Sequence, residues 1–280
     1  MPWASRHRIP VRQILPGLVL LALAFAAIIT APLPASAFAI RQDPVLARLL
    51  EQRGVSGVIV LYDPRSTTAS VSHRQRASQP FLPASTYKIA GALLALETGI
   101  VKDPFHDRLK WDGKPFFIKE CEADQTLATA IARSCVPVFA RLGREIGDRR
   151  LKAGLQAIGY GNGLASGRYP YWTEGDLRIS ALEQVTFLDR LRRRDLPLSA
   201  TTMDQVAAMI ELERQGDYVL RGKTGWAARP DPDIGWFVGW AEKGDDVRVF
   251  AVNIDMRGRQ DIPLRIELAK AALAAHGLAP

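Results

Sequence analysis

Pro83-Ala84-Ser85-Thr86-Tyr87-Lys88-Ile89-Ala90-Gly91-Ala92-Leu93-Leu94-Ala95-Leu96-Glu97-Thr98-Gly99 is the stretch from which the rest of the chain can be read. Pro83 stands just upstream of a run with almost no polar face and Gly99 closes it, so Ser85 to Thr98 reads as a buried helix. Its only cation, Lys88, follows Ser85 by three residues, which puts both on one helical face with the amine in reach of the hydroxyl. The helix start adds free N–H groups and a dipole that favours an oxyanion. A Ser-x-x-Lys is common enough to arise by chance. Here the ordinary alternative, a capping serine beside a solvated lysine, is strained by the apolar run Ile89 to Leu94.

Upstream, residues 56 to 62 and 67 to 73 flank Asp63-Pro64-Arg65-Ser66, two β-branched runs around a turn signal, and predict a hairpin. Downstream, helical periodicity covers about 126 to 143, 147 to 159, 180 to 194 and 202 to 214. The third opens on Ser180 with Glu183 three residues on, a capping box. Strands return at about 217 to 223, 233 to 241 and 246 to 255, before a last helix over about 262 to 275. The order strands, helices, strands, helix predicts an α+β fold. One antiparallel sheet comes from both chain ends and is flanked by terminal helices, with a helical second lobe at about 100 to 215. A ligand site belongs in the cleft between them.

The first 37 residues stand apart. Arg6, Arg8 and Arg12 precede an unbroken apolar run from Leu18 to Ile29, and Ala35-Ser36-Ala37 is a small-residue cleavage pattern. The expectation is a signal peptide cut after Ala37, or after Ala39, leaving residues 38 to 280 as a periplasmic catalytic domain with no stable membrane insertion. The 280-residue chain carries 37 Lys+Arg against 29 Asp+Glu, and that segment holds three of the arginines and no acid. The densest basic run, Arg190 to Arg194, reads as a last helical turn, where cations suit the dipole. No basic patch with interleaved aromatics exists, so nucleic acid is not an expected partner. The four histidines, His7, His73, His106 and His276, have no second His or Cys at metal spacing, which leaves a zinc hydrolase without ligands and predicts no metal site.

Two further motifs follow Ser85 and Lys88 in order. Ser134-Cys135-Val136 lies in a helical stretch interrupted by Pro137, where a second serine can relay a proton to a leaving nitrogen. Lys223-Thr224-Gly225 ends a strand, where a cation, a hydroxyl and a small residue let a peptide-like substrate lie along the edge. With Tyr160-Gly161-Asn162, the run Tyr171-Trp172-Thr173-Glu174-Gly175-Asp176-Leu177-Arg178-Ile179-Ser180 and Gly235-Trp236-Phe237-Val238-Gly239-Trp240, this ordered set resembles the penicillin-recognising serine enzymes, and in detail the class D (oxacillinase-type) serine β-lactamases. A class A enzyme has Ser-Asp-Asn as its middle motif, and this chain does not.

That resemblance implies a penicillin-binding hydrolase that opens the β-lactam ring of a small-molecule substrate and so gives antibiotic resistance. It implies Ser85 as nucleophile, Ser134 as proton relay and Lys88 as general base. Lys88 would be an N-carboxylated lysine made with CO2, with no other cofactor. Lys223, Thr224, Gly225, Trp226 and Arg265 would hold the substrate and its carboxylate, and the backbone N–H groups of Ser85 and Trp226 would form the oxyanion hole. Val136 and Trp172 would support the carboxylated lysine, with Glu174 a structural carboxylate rather than a class A-like base. Tyr87 and Thr173 depart from the family's usual phenylalanine and aliphatic residue, so a more polar surrounding of Lys88 is expected. Cys135 has Cys121 as its one possible partner. Two buried thiols are preferred, although a bridge of that loop size would stabilise by about 3 kcal/mol. The alternatives sharing these motifs are a penicillin-binding sensor domain, which would need transmembrane segments and an effector, and a D,D-peptidase, which normally keeps a membrane anchor. Substrate preference, carbapenems included, and oligomeric state are not legible.

Overall fold

Alternation of two apolar sets along each central strand builds a sheet that is covered on both faces. A computed structural model describes residues 38–228 and 230–280, which lie within one packed unit, Ser36–Pro280. The signal-peptide reading of residues 1 to 37 falls outside the described residues. No helix among those described is long and apolar enough to cross a membrane.

The chain enters through β1 (Ala39–Gln42) and α1 (Pro44–Gln52), then forms the expected hairpin from β2 (Gly57–Asp63) and β3 (Thr68–Val71). Asp63 Oδ1 accepts from Arg65 N at 3.0 Å inside its turn. A short α2 (Arg74–Ser78) leads to the 3-10 turn Ala84–Thr86 and α3 (Tyr87–Glu97). The middle of the chain supplies α4 (Leu127–Ala132), α5 (Val136–Ile146), α6 (Asp148–Ile158), α7 (Ala181–Arg192) and α8 (Ala200–Met209). The return is β4 (Glu211–Gln215), β5 (Tyr218–Ala227), β6 (Asp233–Lys243), β7 (Asp246–Met256) and α9 (Leu264–Ala275).

These strands make a seven-stranded sheet in the order β1-β3-β2-β7-β6-β5-β4. Both chain ends contribute, and β2 and β7, far apart in sequence, pair at its centre. Ile59, Leu61, Phe237, Phe250 and Val252 face α1 and α9, packing on Leu46, Leu50, Leu268 and Leu273. Val58, Val60, Trp236, Val238 and Trp240 face the other way, into the core shared with α3 and α7. Every residue from Tyr87 to Leu96 is buried, because α4, α5, α6 and α8 pack around α3.

Four boundaries differ from the sequence reading. The expected helix over 126 to 143 is broken: α4 stops at Ala132, and Pro137 sits in the first turn of α5, where its missing N–H costs nothing. Pro137 thus opens a helix instead of interrupting one. The helix expected to reach 214 ends at Met209, and Glu211 to Gln215 pair with β5 as an edge strand. The strand expected to end at Lys223 continues to Ala227 along β6. β1, absent from the sequence reading, adds to β3 in parallel, so the sheet is antiparallel except at that edge. The capping box stands as expected: Ser180 N donates to Glu183 Oε2 at 2.7 Å, and Glu183 N to Ser180 Oγ at 3.2 Å. Arg190 and Arg192 lie in the last turn of α7.

Candidate active site

The turn before α3 is held from three directions. Ala84 N donates to Trp172 O at 2.9 Å, Trp236 Nε1 to Leu82 O at 2.9 Å, and Gln184 Nε2 to Thr86 Oγ1 at 2.9 Å. Ala84 needs such support, because its φ of +49° is left-handed without being glycine, at a cost of about 1 kcal/mol. Gln184 was missed in the sequence, where its only signal is a polar residue on the core-facing side of α7. So placed, Ser85 Oγ accepts from Lys88 Nζ at 2.7 Å, the contact that the three-residue spacing predicts.

Lys88 is fully buried, and no carboxylate among the described residues pairs with it. Burial pushes its pKa well below the usual lysine value, and the nearby Lys223 pushes the same way. Its amine lies 5.6 Å from the Phe139 ring centre. The preceding residue, Tyr87, stacks on Trp172 with ring centres 4.2 Å apart and planes 8° from parallel. Trp172 Nε1 is buried with no hydrogen-bond partner among the described residues. An indole N–H can only donate, so this orphan is costly unless an acceptor reaches it. The polarity expected from Thr173 is satisfied within its own loop, since Oγ1 donates to Pro170 O at 3.2 Å.

Ser134 sits in the connector between α4 and α5 with φ of +59°, a second left-handed non-glycine position in the cleft. Its Oγ accepts from Lys223 Nζ at 2.5 Å, while the same amine donates to Thr224 O at 3.1 Å. Burial, reinforced by the charge of Arg265, lowers the Lys223 pKa to about 7. β4 pairs with β5 only as far as Arg221, so the edge from Lys223 to Ala227 is left open beside the Ser85 turn. Gly225 lets the strand lie close to that turn: a Cβ would stand 3.3 Å from Ser85 N and 3.1 Å from Pro83 O, a tight fit that would press on both. The backbone N–H of Ser85 has no hydrogen-bond partner among the described residues.

Arg265, at the start of α9, is buried with its Nη1 donating to Gly225 O at 2.7 Å and its Nε to Ile262 O at 3.0 Å. Burial lowers its pKa to about 10, which leaves it charged at neutral pH. Trp226 is tied through Nε1 to Asp233 Oδ2 at 2.9 Å. Glu174 pairs with Arg168 at 2.7 Å, which fastens the loop carrying Trp172.

Ser85, Ser134, Val136, Thr224, Gly225, Trp226 and Arg265 line one cleft of about 480 Å³, with Phe116, Phe117 and Ile118 on its rim. Lys88 and Lys223 meet it through Ser85 Oγ and Ser134 Oγ, and Trp172 precedes the lining residue Thr173. Every candidate from the sequence is therefore in or directly against this cleft. The preference for two free thiols is overturned: Cys121 and Cys135 form a disulfide. The sequence could not reveal that the 3-10 turn Lys119–Cys121 folds back against the break between α4 and α5.

A serine hydroxyl, a desolvated amine, a second serine on a second lysine and a buried guanidinium in one cleft suit acyl transfer from an anionic amide. The family pattern described as "Penicillin binding protein transpeptidase domain" matches residues 57–274. β-Lactamase OXA-48 of Klebsiella pneumoniae is 40% identical over 225 residues, which cover 80% of this chain and 84% of that protein. The regulatory protein BlaR1 of Bacillus licheniformis is 36% identical over 227 residues, 80% of this chain but 37% of BlaR1. The crystal structure of the class D β-lactamase YbXI from Nostoc superposes with a TM-score of 0.80 at 40% identity, covering 83% of this chain and 98% of that one.

Proposed function

The chain belongs to the class D β-lactamases, hydrolases of the penicillin-binding transpeptidase family, and from that membership we propose that it opens the β-lactam ring through an acyl-enzyme on Ser85. The observation that carries this reading is Lys88, fully buried, unpaired with any carboxylate among the described residues and 2.7 Å from Ser85 Oγ.

The substrate carboxylate lies between Lys223, Thr224 and Arg265, which brings the lactam carbonyl over Ser85. Ser85 Oγ attacks the carbonyl carbon. Charge on the carbonyl oxygen is met by the N–H groups of Ser85 and Trp226. Ser134, linked to Lys223, passes a proton to the leaving nitrogen as the C–N bond breaks. Water then cleaves the ester on Ser85.

Both steps need a base at Lys88, and the surroundings fit a carboxylated lysine. Burial favours the neutral amine, the form that adds CO2, and the unpartnered Trp172 Nε1–H is a donor without an acceptor. Carried on Nζ, that carboxylate would supply the base for Ser85 and for water. Val136 and Trp172 would support that group.

Steady-state hydrolysis of a chromogenic cephalosporin by residues 38 to 280 tests the reading. One equivalent of product followed by a stable adduct would instead favour a penicillin-binding sensor domain, and turnover of a D-Ala-D-Ala peptide a D,D-peptidase. The carboxylate site has its own test. Arg265→Ala should lower kcat/KM for acid-bearing substrates by about 2–3 kcal/mol, the worth of a charged hydrogen bond, and affect their esters much less. Equal losses on acid and ester would make Arg265 a structural residue, holding Gly225 O and Ile262 O.

We also propose export to the periplasm with cleavage after Ala37. Supporting it, the Cys121–Cys135 disulfide suits an oxidising compartment, and Phe38 packs on the domain with its ring centre 5.2 Å from that of Tyr62. Cleavage after Ala39 would remove that contact. N-terminal sequencing of the exported protein should begin at Phe38, and a start at Ile40 or Met1 would refute the assignment.

A further inference from the structure

We propose that the Cys121–Cys135 disulfide positions the Ser134 hydroxyl for acylation by clamping the aromatic rim of the cleft to the connector that carries Ser134. The inference rests on the reading of Ser134 as the proton relay.

Cys135 is fully buried between two residues that line the cleft, Ser134 and Val136. Cys121 closes the turn that follows Phe116, Phe117 and Ile118. The bridge therefore joins one wall of the cleft to the base of another. It has a non-covalent companion: Gln125 donates to Glu120 O at 2.9 Å and accepts from Arg133 Nη1 at 3.1 Å, tying the same two segments together. The rim is fixed to this anchor by Phe116 N, which donates to Glu122 Oε1 at 2.7 Å.

The connector needs such a clamp. Ser134 holds a left-handed φ without being glycine, and the backbone bonds around it, Arg133 N to Thr129 O, Ser134 N to Ile131 O, Cys135 N to Ala130 O and Phe139 N to Cys135 O, leave its side chain unanchored. Among the described residues, the only side-chain partner of its hydroxyl is Lys223 Nζ on β5. With the bridge cut, the connector can relax toward an ordinary φ, and the hydroxyl swings away from Lys223. Ser85, Lys88 and Trp172 hang on the turn before α3, on α3 and on the loop fastened by Glu174 and Arg168, none of which carries either cysteine, and Val136, although next to Cys135, is the first residue of α5, which packs on α3 without the bridge.

The consequence is a split between the two chemical steps. Proton delivery to the leaving nitrogen belongs to acylation, so that step slows, while water attack on the ester on Ser85 does not. General loosening of the fold would lower both steps, or only the fraction of active enzyme.

The test uses Cys121→Ala/Cys135→Ala beside the native protein reduced with a phosphine in mild denaturant and returned to buffer, two thiols confirming the reduction. Stopped-flow measurement should show acylation slowed about ten- to a hundredfold, the scale of misplacing a catalytic group by about an ångström. Deacylation should be unchanged, and reoxidation of the native protein should restore acylation. If the alanine pair does not fold, the reduced native protein decides. Unchanged acylation, or acylation and deacylation falling together, would overturn the proposal. Mass spectrometry of the trapped adduct separates the two readings: an adduct on Ser85 leaves the mechanism standing whatever the disulfide does, whereas one elsewhere sinks the mechanism itself.

Discussion

Ser85→Ala should leave a folded protein that binds β-lactams and turns over essentially none, with kcat lower by about 10⁴-fold or more, as for loss of a nucleophile in other serine hydrolases. The fold survives because Ser85 Oγ caps no helix here: the turn Ala84–Thr86 has no side-chain cap bond. What the substitution removes is the hydroxyl that partners the Lys88 side chain, so a buried polar group loses a hydrogen bond at a cost of about 1–3 kcal/mol. That loss is larger than the cap term that the sequence suggests, and it should appear as a fall of a few degrees in Tm. Electrospray mass spectra of the variant with a slow substrate should show no acyl adduct. Substantial residual hydrolysis with the adduct on Ser134 would reverse the roles of the two serines.

That Ser85 and Lys88 could be paired before any coordinates follows from their spacing, because positions three apart on one helix meet whatever the rest of the chain does. Ser134, Lys223 and Arg265 are different. Their meeting depends on where the break between α4 and α5 falls and on how far β5 runs beyond β4, and those are the boundaries that local pattern misjudged. The apolar content of 126 to 143 is helical on either side of residues 133 to 135, so periodicity alone joined two helices across the one residue whose φ matters for chemistry. β4 was hidden for a related reason. Glu211-Leu212-Glu213-Arg214-Gln215 has little strand character, and the strand exists because β5 offers it an edge. Burial was more legible than contact: the apolar run after Lys88 announced a desolvated amine, while the orphaned indole N–H of Trp172 needed three dimensions.

Acid treatment under CO2-free gas should remove activity that bicarbonate then restores at neutral pH, and the sign follows from Lys88. Burial depresses the pKa of its amine, so above that depressed value the amine is neutral and adds CO2, and below it the ammonium form cannot. Activity is therefore kept as pH rises past that point and lost as it falls. The base is required most in the second step, so Lys88→Ala should slow deacylation by about 10²–10⁴-fold, the range for general-base catalysis, and the ester on Ser85 should accumulate. Trp172→Phe isolates the indole N–H, since it keeps a ring stacked on Tyr87 while removing the donor. A hydrogen bond to a charged group is worth about 1.5–3 kcal/mol, so deacylation should fall roughly 10- to 150-fold and partly recover in excess bicarbonate. A structural role for Trp172 would predict lower thermal stability with no response to bicarbonate. Full turnover in CO2-depleted buffer, with no carbamate carbon by 13C NMR, would rule the base out and move attention to Glu174, on the same cleft. Glu174 is already engaged by Arg168 at 2.7 Å, so Glu174→Gln should then abolish deacylation, whereas the reading argued here leaves deacylation intact and costs only the ion pair.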